Sequence, residues 1–335
     1  MEKGKFMQLE YSPIVNRNDW QYVLDHACLA NIFHTPEYFD LQLRVGHTLI
    51  YVCCYHQGEP IGMIAGYQNT SGYHNGLIEI GTKSGGYPLM IEQYDQSAEA
   101  SQIKNRFIGY FAHQYLDGQP FFFYPCFHFK ETECILEDPA WGCIKQYDAT
   151  AFLDLQLAEE TLWKNLGDKG RNMVRYAQRH GVTARIANEL QYFELFYHFY
   201  QEVRTKRQTQ YIGYDELRAK FEAFTKQNLA DLWVAFLGER PLAYAFIWKY
   251  KQKINFVYGS SDPEGLPLKP NNLLQWELIR YYQQHGYTLY NMWGIRNMNL
   301  SENPSLQPNQ EIEGYGKFKL SFGPEVRELV RYVRV

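Results

Sequence analysis

The sequence predicts an α/β protein built from two similar halves, each with a mixed central sheet flanked by helices. The order helix, helix, strand, turn, strand, strand occurs once before residue 150 and once after it. The chain has 335 residues and is 45% hydrophobic, which is enough for two ordinary cores. We therefore expect domains at 7–150 and 151–335. Because no linker rich in Gly, Ser or Pro joins them, we expect the domains to pack tightly around a shared cleft.

The first half begins with two predicted helices. Residues 19–29 are amphipathic with an acidic start, and Thr35 followed by Pro36 is typical of a helix N-terminus. Residues 48–55 and 60–67 are mostly apolar and are separated by a short polar turn. This half therefore predicts a helix pair followed by a hairpin of two buried strands.

The second half repeats this plan. Helices are predicted at 191–205 and 214–228, and strands at 232–237, 241–248 and 253–259. The segment between the halves, near residues 148–160, shows no special pattern and is interpreted as an ordinary connection.

A candidate binding region follows the last of these strands. A polar, proline-rich loop leads to a helix predicted to begin near Asn271, and a short strand is predicted at 287–292. The N–H groups at a helix N-terminus attract phosphate or an oxyanion. We expect the loop, the helix N-terminus and two strand ends to converge on one site.

A basic helix is predicted at 168–181. Arg171, Arg175 and Arg179 are four residues apart and lie on one face of it. One guanidinium group can bind two phosphate oxygens at once, so this face suits a diphosphate or a nucleic-acid backbone. A solvated basic surface without a ligand explains the same spacing and stays open as the alternative.

Composition and missing motifs exclude several classes of function. The net charge of −4 excludes general polyanion binding, so any contact with nucleic acid must come from a local patch. No CxxC pair, HExxH, GxSxG, Walker A or GxGxxG element occurs, and the histidines are scattered. We expect no metal and no cofactor. Without a signal peptide or a transmembrane segment, a cytoplasmic protein with free thiols is expected.

The segment 314–324 is the strongest single indication of a site. Phe318 and Lys319 stand between Gly316 and Gly323, which allow close approach to another backbone or to a ligand. An ammonium beside an aromatic ring at such a position can hold a negatively charged oxygen.

These segments together resemble the FemABX peptidyltransferases, which consist of two acetyltransferase-like (GNAT) subdomains. The resemblance is clearest over about 155–330. It rests on the basic helix, on Tyr258-Gly259-Ser260-Ser261, on the Asn271-Asn272 helix start and on Tyr290-Asn291-Met292-Trp293-Gly294. The Phe318-Lys319 pair completes it, and the first half is similar more loosely.

The resemblance implies that an aminoacyl group passes from aminoacyl-tRNA to an amine on a nucleotide- or lipid-linked saccharide or peptide precursor of the cell envelope. It assigns the catalytic role to Lys319 with Phe318. By position in the motifs, the implied substrate-binding residues are Arg171, Arg175, Tyr258, Ser260, Asn272, Trp293, Lys83 and Tyr87. Tyr124 stands where the family often has an aspartate.

Two other functions fit the same pattern. A GNAT-type acyltransferase would take an acyl-CoA or acyl carrier thioester and acylate a sugar amine in polysaccharide synthesis. A non-catalytic protein would only bind a glycan or a nucleotide sugar. The loss of the aspartate favours the second of these alternatives, whereas the retained Phe318-Lys319 pair disfavours it.

Overall fold

A computed structural model describes most of the chain. The described residues are 7–70, 74–82, 85–125, 134–295 and 314–335. They form two compact units. The first takes the described residues up to Asp148 together with Glu328–Val335, and the second takes 149–295 and 314–327. The predicted boundary at 150/151 lies close to residue 148, where the chain first passes into the second unit, and the chain returns to the first unit at residues 328–335.

The first unit is an α/β layer. Its elements in chain order are β1 (Glu10–Ser12), α1 (Arg17–His26), α2 (Pro36–Arg44), β2 (Thr48–His56), β3 (Glu59–Gln68), β4 (Ile78–Ile80), β5 (Leu89–Met90), α3 (Glu92–Asp95), α4 (Ala100–Tyr115) and β6 (Phe121–Phe123). The strand order is β1-β2-β3-β4-β6, and the C-terminal strand pairs antiparallel with β6. The helix pair and the hairpin are present as predicted.

Two local features place these elements. Thr35 caps α2 by accepting a hydrogen bond from the Tyr38 N–H, and Pro36 occupies the first turn. The turn between β2 and β3 consists of Gln57 and Gly58, both with positive φ (53° and 83°). This is the conformation that matches the twist of a two-residue hairpin and fixes its register.

The second unit contains β7 (Ile144–Asp154), α5 (Glu159–Asn165), α6 (Gly167–Arg179), β8 (Val182–Ile186), α7 (Leu190–Lys206), α8 (Tyr214–Lys226), β9 (Ala230–Leu237), β10 (Arg240–Tyr250), β11 (Lys253–Ser261), α9 (Pro270–Gln284), β12 (Leu289–Gly294), α10 (Gly314–Leu320) and the start of β13 (Glu325–Arg334). The strand order is β7-β12-β11-β10-β9-β8. Only β11 and β12 are parallel in this series.

Two segments differ from the sequence prediction. The connection predicted near 148–160 is largely the strand β7, and the chain passes from one unit to the other within it. Its buried middle, from Asp148 to Leu153, explains why strand structure prevails there. The tail segment, for which the sequence analysis predicted a site but no helix, forms the helix α10, with Gly323 (φ 70°) after its end.

The core of the second unit brings α6, α9 and the tail together. Val174 and Ala177 on α6, Leu278 on α9 and Phe322 after α10 are each less than 2% exposed and belong to one cluster. Of the helices in the described ranges, none has the length and hydropathy needed to cross a bilayer.

Candidate active site

The candidate site lies in the second unit, where β11 and β12 stop pairing. The parallel ladder joins Lys253–Asn255 to Leu289–Asn291 and ends there, although β11 continues to Ser261 and β12 to Gly294. Two neighbouring strands that end their ladder early leave backbone groups available between them. A ligand can therefore contact the sheet at this point.

Lys319 places its ammonium at this opening. The Nζ atom donates a hydrogen bond of 2.9 Å to the Gly294 carbonyl, at the end of β12, and the residue is only 7% exposed. The same nitrogen lies 5.8 Å from the centroid of the Phe256 ring on β11 and 5.3 Å from that of Tyr315. Contacts with a carbonyl and with ring faces stabilise a cation in a partly dry position.

A backbone irregularity positions the Gly294 carbonyl. Trp293 has a φ of 69°, which is unusual for a large L-residue, and its N–H donates to the Asn291 Oδ1 at 2.7 Å. The Thr150 hydroxyl of β7 donates to the same oxygen at 3.1 Å. The register of β12 with β7 shifts between Asn291 and Gly294, as expected for a bulge that changes the direction of a strand end.

Gly259 leaves room for the ring beneath the ammonium. A Cβ atom at this position would lie 2.6 Å from the Phe256 Cζ atom, which is closer than packed atoms allow. The Tyr-Gly-Ser-Ser segment therefore needs its glycine so that Phe256 can lie under Lys319.

The basic helix α6 is adjacent to the segment that carries Lys319. A Cβ at Gly170 would lie 3.3 Å from the Ser321 carbonyl oxygen, and a Cβ at Gly323 would lie 2.6 Å from the Asn165 carbonyl oxygen. These close backbone approaches fix α10 against the junction of α5 and α6.

The three arginines of α6 differ in their contacts. Arg171 donates to the Trp163 and Lys164 carbonyls at the end of α5 and pairs with Asp168. Its guanidinium group therefore stabilises the junction of α5 and α6. Arg175 is exposed and lies 5.3 Å from the Trp163 ring centroid. Arg179 is exposed at the end of the helix. Arg175 and Arg179 thus remain the candidates for ligand contact.

Three other predicted site residues lie on β11 and α9. Tyr258 is half-buried among Tyr200, Phe246 and Trp248. The Ser260 hydroxyl donates to the Phe196 carbonyl at 2.9 Å and ties β11 to α7. Asn272 is buried in the first turn of α9, whose N-cap is Lys269 with a φ of 58°. The contacts of Ser260 are internal, so we do not include it in the candidate site.

Comparison with known proteins identifies the fold. Residues 168–298 match the family described as an acetyltransferase (GNAT) domain. The crystal structure of FemX is similar with a TM-score of 0.70, at 13% identity and over 96% of both chains. The chain has the FemX fold.

Other similar structures share the fold at lower scores. The C-terminal domain of a candidate lysylphosphatidylglycerol synthetase from Agrobacterium fabrum has a TM-score of 0.53 at 13% identity, over 96% of this chain and 93% of that one. A tandem GNAT protein from the clavulanic acid biosynthesis pathway has a TM-score of 0.52 at 12% identity, over 98% of both chains. No curated protein matches the sequence. The predictions of a tandem GNAT architecture and of an acyltransferase are confirmed.

Two predicted site residues, Lys83 and Tyr87, remain to be considered. Lys83 lies outside the described residues. Tyr87 is buried, and its carbonyl accepts a hydrogen bond of 3.0 Å from the His34 Nε2. Because His34 Nδ1 accepts from the Asn31 N–H, the proton of this imidazole is on Nε2.

The sequence analysis missed one carboxylate near Tyr124. The Tyr124 hydroxyl donates to the Asp148 Oδ2 at 3.3 Å, and both residues are buried. Burial, followed by the charge of Asp148, raises the pKa of Tyr124 above its ordinary value. A carboxylate is therefore present beside the position where the resemblance had indicated its loss. The signal was Asp148 itself, at the start of the segment interpreted as a connection.

No group of three or more His, Cys, Asp or Glu side chains within the described ranges has the arrangement of a metal site.

Proposed function

We propose that the protein transfers an aminoacyl group from aminoacyl-tRNA to an amine of a cell-envelope precursor, with Lys319 as the catalytic residue. The observation that carries this proposal is the ammonium of Lys319, held at the opening between β11 and β12. The similarity to FemX and to a protein named for lysylphosphatidylglycerol synthesis supports an aminoacyl donor.

The chemistry needs a cation at such a point. The amine nitrogen attacks the ester carbon of the donor, and negative charge develops on the carbonyl oxygen. A new C–N bond forms, the bond to the ribose oxygen breaks, and the proton that the amine loses ends on that oxygen, which leaves as a ribose hydroxyl. An ammonium already fixed by the Gly294 carbonyl can stabilise the oxyanion without first having to reorganise.

The exposed arginines meet a second requirement of the reaction, which is to hold the phosphate groups of the substrates. Arg175 and Arg179 lie on a helix that packs against the Lys319 segment, and Arg175 is oriented by the Trp163 ring. Phosphates of the donor or of a nucleotide-linked acceptor would bind to such a face, and holding both reactants would contribute to the rate. A reaction with charged tRNA would take place in the cytoplasm.

A thioester donor is the second candidate, because residues 168–298 match an acetyltransferase family. In this version Lys319 and the opening keep their roles and an acyl-CoA replaces the charged tRNA. The sugar amine of a polysaccharide precursor would then be the acceptor.

The two donors can be separated in one experiment. Purified protein is incubated with a mixture of cell-envelope precursors and either tRNA charged with labelled amino acids or labelled acetyl-CoA. We expect label to move to a precursor from tRNA, and ribonuclease treatment of the tRNA to abolish the transfer. Transfer from acetyl-CoA alone would replace the proposal with the second candidate, and transfer from neither donor would reject both.

A further inference from the structure

The end of α7 and the loop after it form a basic segment on the surface of the second unit. Residues 204–211 contain three cations, Arg204, Lys206 and Arg207, and no carboxylate. Most of these residues are exposed. A helix favours cations at its C-terminus in any case, so the charges alone assign no ligand. The aromatic contacts of the segment supply a second, independent observation.

Hydrogen bonds hold an exposed ring of this segment in place. The Thr209 N–H donates to the Arg204 carbonyl at 3.0 Å and closes the end of the helix. The Gln201 side-chain amide donates to the Tyr211 hydroxyl at 3.0 Å. Tyr211 is therefore tethered to α7, although 40% of its surface is exposed. A base can stack on a ring that is already held without the cost of ordering it.

A row of ring contacts leads from Tyr211 to the candidate active site. The Tyr211 and Tyr200 rings meet edge to face at 6.3 Å, and the Tyr200 and Tyr258 rings do so at 5.6 Å. The Arg204 Cζ atom lies 5.4 Å from the centroid of the Tyr200 ring. Tyr258 stands on β11, beyond the point where its ladder with β12 ends. The contacts therefore connect the basic segment to the opening between these strands.

A bulge in β11 turns Tyr258 toward α7. Phe246 on β10 pairs with Tyr258, and the next residue, Ile247, pairs with Phe256, so β11 has one extra residue between the two pairs. Consecutive residues of a strand point to opposite faces of the sheet, and so do their partners. Phe256 therefore lies under Lys319, whereas Tyr258 lies on the face that α7 covers. The opening can be approached from α7 as well as from the side of Lys319.

We propose that this surface binds the single-stranded end of an RNA. The base of one nucleotide stacks on Tyr211, and Arg204 and Arg207 hold the phosphates on either side of it. Stacking and contacts with the backbone charge are the means by which proteins hold single strands of any sequence. A protein with a net charge of −4 needs such a local basic patch for this partner. That this RNA is the aminoacyl donor rests on the proposed function, whereas the binding itself does not.

The test compares two RNA hairpins that have the same stem and carry no amino acid. One ends in four unpaired 3′ nucleotides and the other is blunt. Each hairpin carries a fluorophore in its loop and is titrated with the full-length protein at about 0.15 M salt, without any acceptor, while its fluorescence anisotropy is measured. For the hairpin with the unpaired end we expect a Kd of about 10⁻⁶–10⁻⁴ M. The blunt hairpin should bind at least about fivefold more weakly, because it offers no unpaired base to stack.

Variants locate the binding. Tyr211→Ala should weaken the hairpin with the unpaired end by about fivefold or more and leave the blunt hairpin unchanged, whereas Tyr211→Phe keeps the ring and should bind as wild type. Arg204→Met should reduce the slope of log Kd against log salt by about 0.7, the value for one lost phosphate contact. Tyr22→Ala is the control, because Tyr22 is similarly exposed, at 37%, on α1 of the first unit. Thermal melting shows whether each variant is folded.

Equal binding of the two hairpins by the wild-type protein, or no saturable binding of either, would overturn this proposal. Unchanged affinity in folded Tyr211→Ala would do the same, and so would displacement of the RNA by free uridine diphosphate at an equal concentration of nucleotide. None of these results bears on the transferase proposal, because the titration contains no aminoacyl group and leaves Lys319 intact. Loss of RNA binding in Tyr211→Ala would stand even if no transfer from charged tRNA were found.

Discussion

Replacing Lys319 by methionine removes the ammonium while keeping the length of the side chain. The Gly294 carbonyl then loses its donor in a buried position. An unsatisfied buried carbonyl lowers stability by about 1–3 kcal/mol. For a unit of this size that corresponds to a fall in Tm of about 2–12 °C. The loss of oxyanion stabilisation should lower kcat by about 10²–10³-fold.

The assay is aminoacyl transfer at 20 °C, well below the melting transition, so that loss of fold does not mimic loss of catalysis. The matched control is Lys317→Met, because Lys317 lies in the same helix and is exposed. The donor KM should change much less than kcat, since the charge acts mainly in the transition state. If Lys319→Met is folded and retains transfer within about threefold of wild type, the assignment of Lys319 is wrong.

Three further outcomes are expected. Gly259→Ala should lower stability by about 1–3 kcal/mol and should also lower transfer, because the new Cβ would displace the Phe256 ring. Gly213→Ala, with no atom within 4 Å of the added carbon, is the control and should leave transfer unchanged. Arg175→Ala and Arg179→Ala should each weaken substrate binding at low salt, with an effect that fades at high salt; an effect independent of salt would indicate a packing role. Burial raises the pKa of several tyrosines in the folded state. Below pH ~10 these tyrosines are protonated in both states, so stability should not depend on them. Above pH ~10 they ionise first in the unfolded state, and stability should fall by about 1.4 kcal/mol per pH unit for each of them. In Tyr124→Phe, the free energy of unfolding, measured by chemical denaturation at several pH values, should fall less steeply as the pH rises. An unchanged slope would contradict the raised pKa.

The sequence predicted the parts of the fold that have local signals. The hairpin of β2 and β3, the capped start of α2 and the ends of α7 and α8 follow from periodicity and from turn or cap residues. These patterns depend on neighbours in the chain, so a reader of the sequence can recognise them.

Long-range features escaped prediction for a physical reason. β7 joins its partners through residues far away in the chain, as in the pairing of Leu153 with Tyr290. The helix α10 has two glycines in its first three residues, a composition that disfavours a helix, and its packing on α6 overrides that preference. The carboxylate of Asp148 beside Tyr124 became visible only when strand packing brought them together.

The candidate active site combines three local features that are each unfavourable for stability. Trp293 takes a left-handed backbone conformation, Gly259 stands inside a strand because the Phe256 ring fills its Cβ position, and Lys319 buries an ammonium. Each departure by itself lowers stability. They share one consequence, because all of them act on the Gly294 carbonyl or on the ring that holds the Lys319 nitrogen. A purely structural lysine would not need three costly arrangements to fix one atom, whereas a cation that must meet a developing oxyanion does.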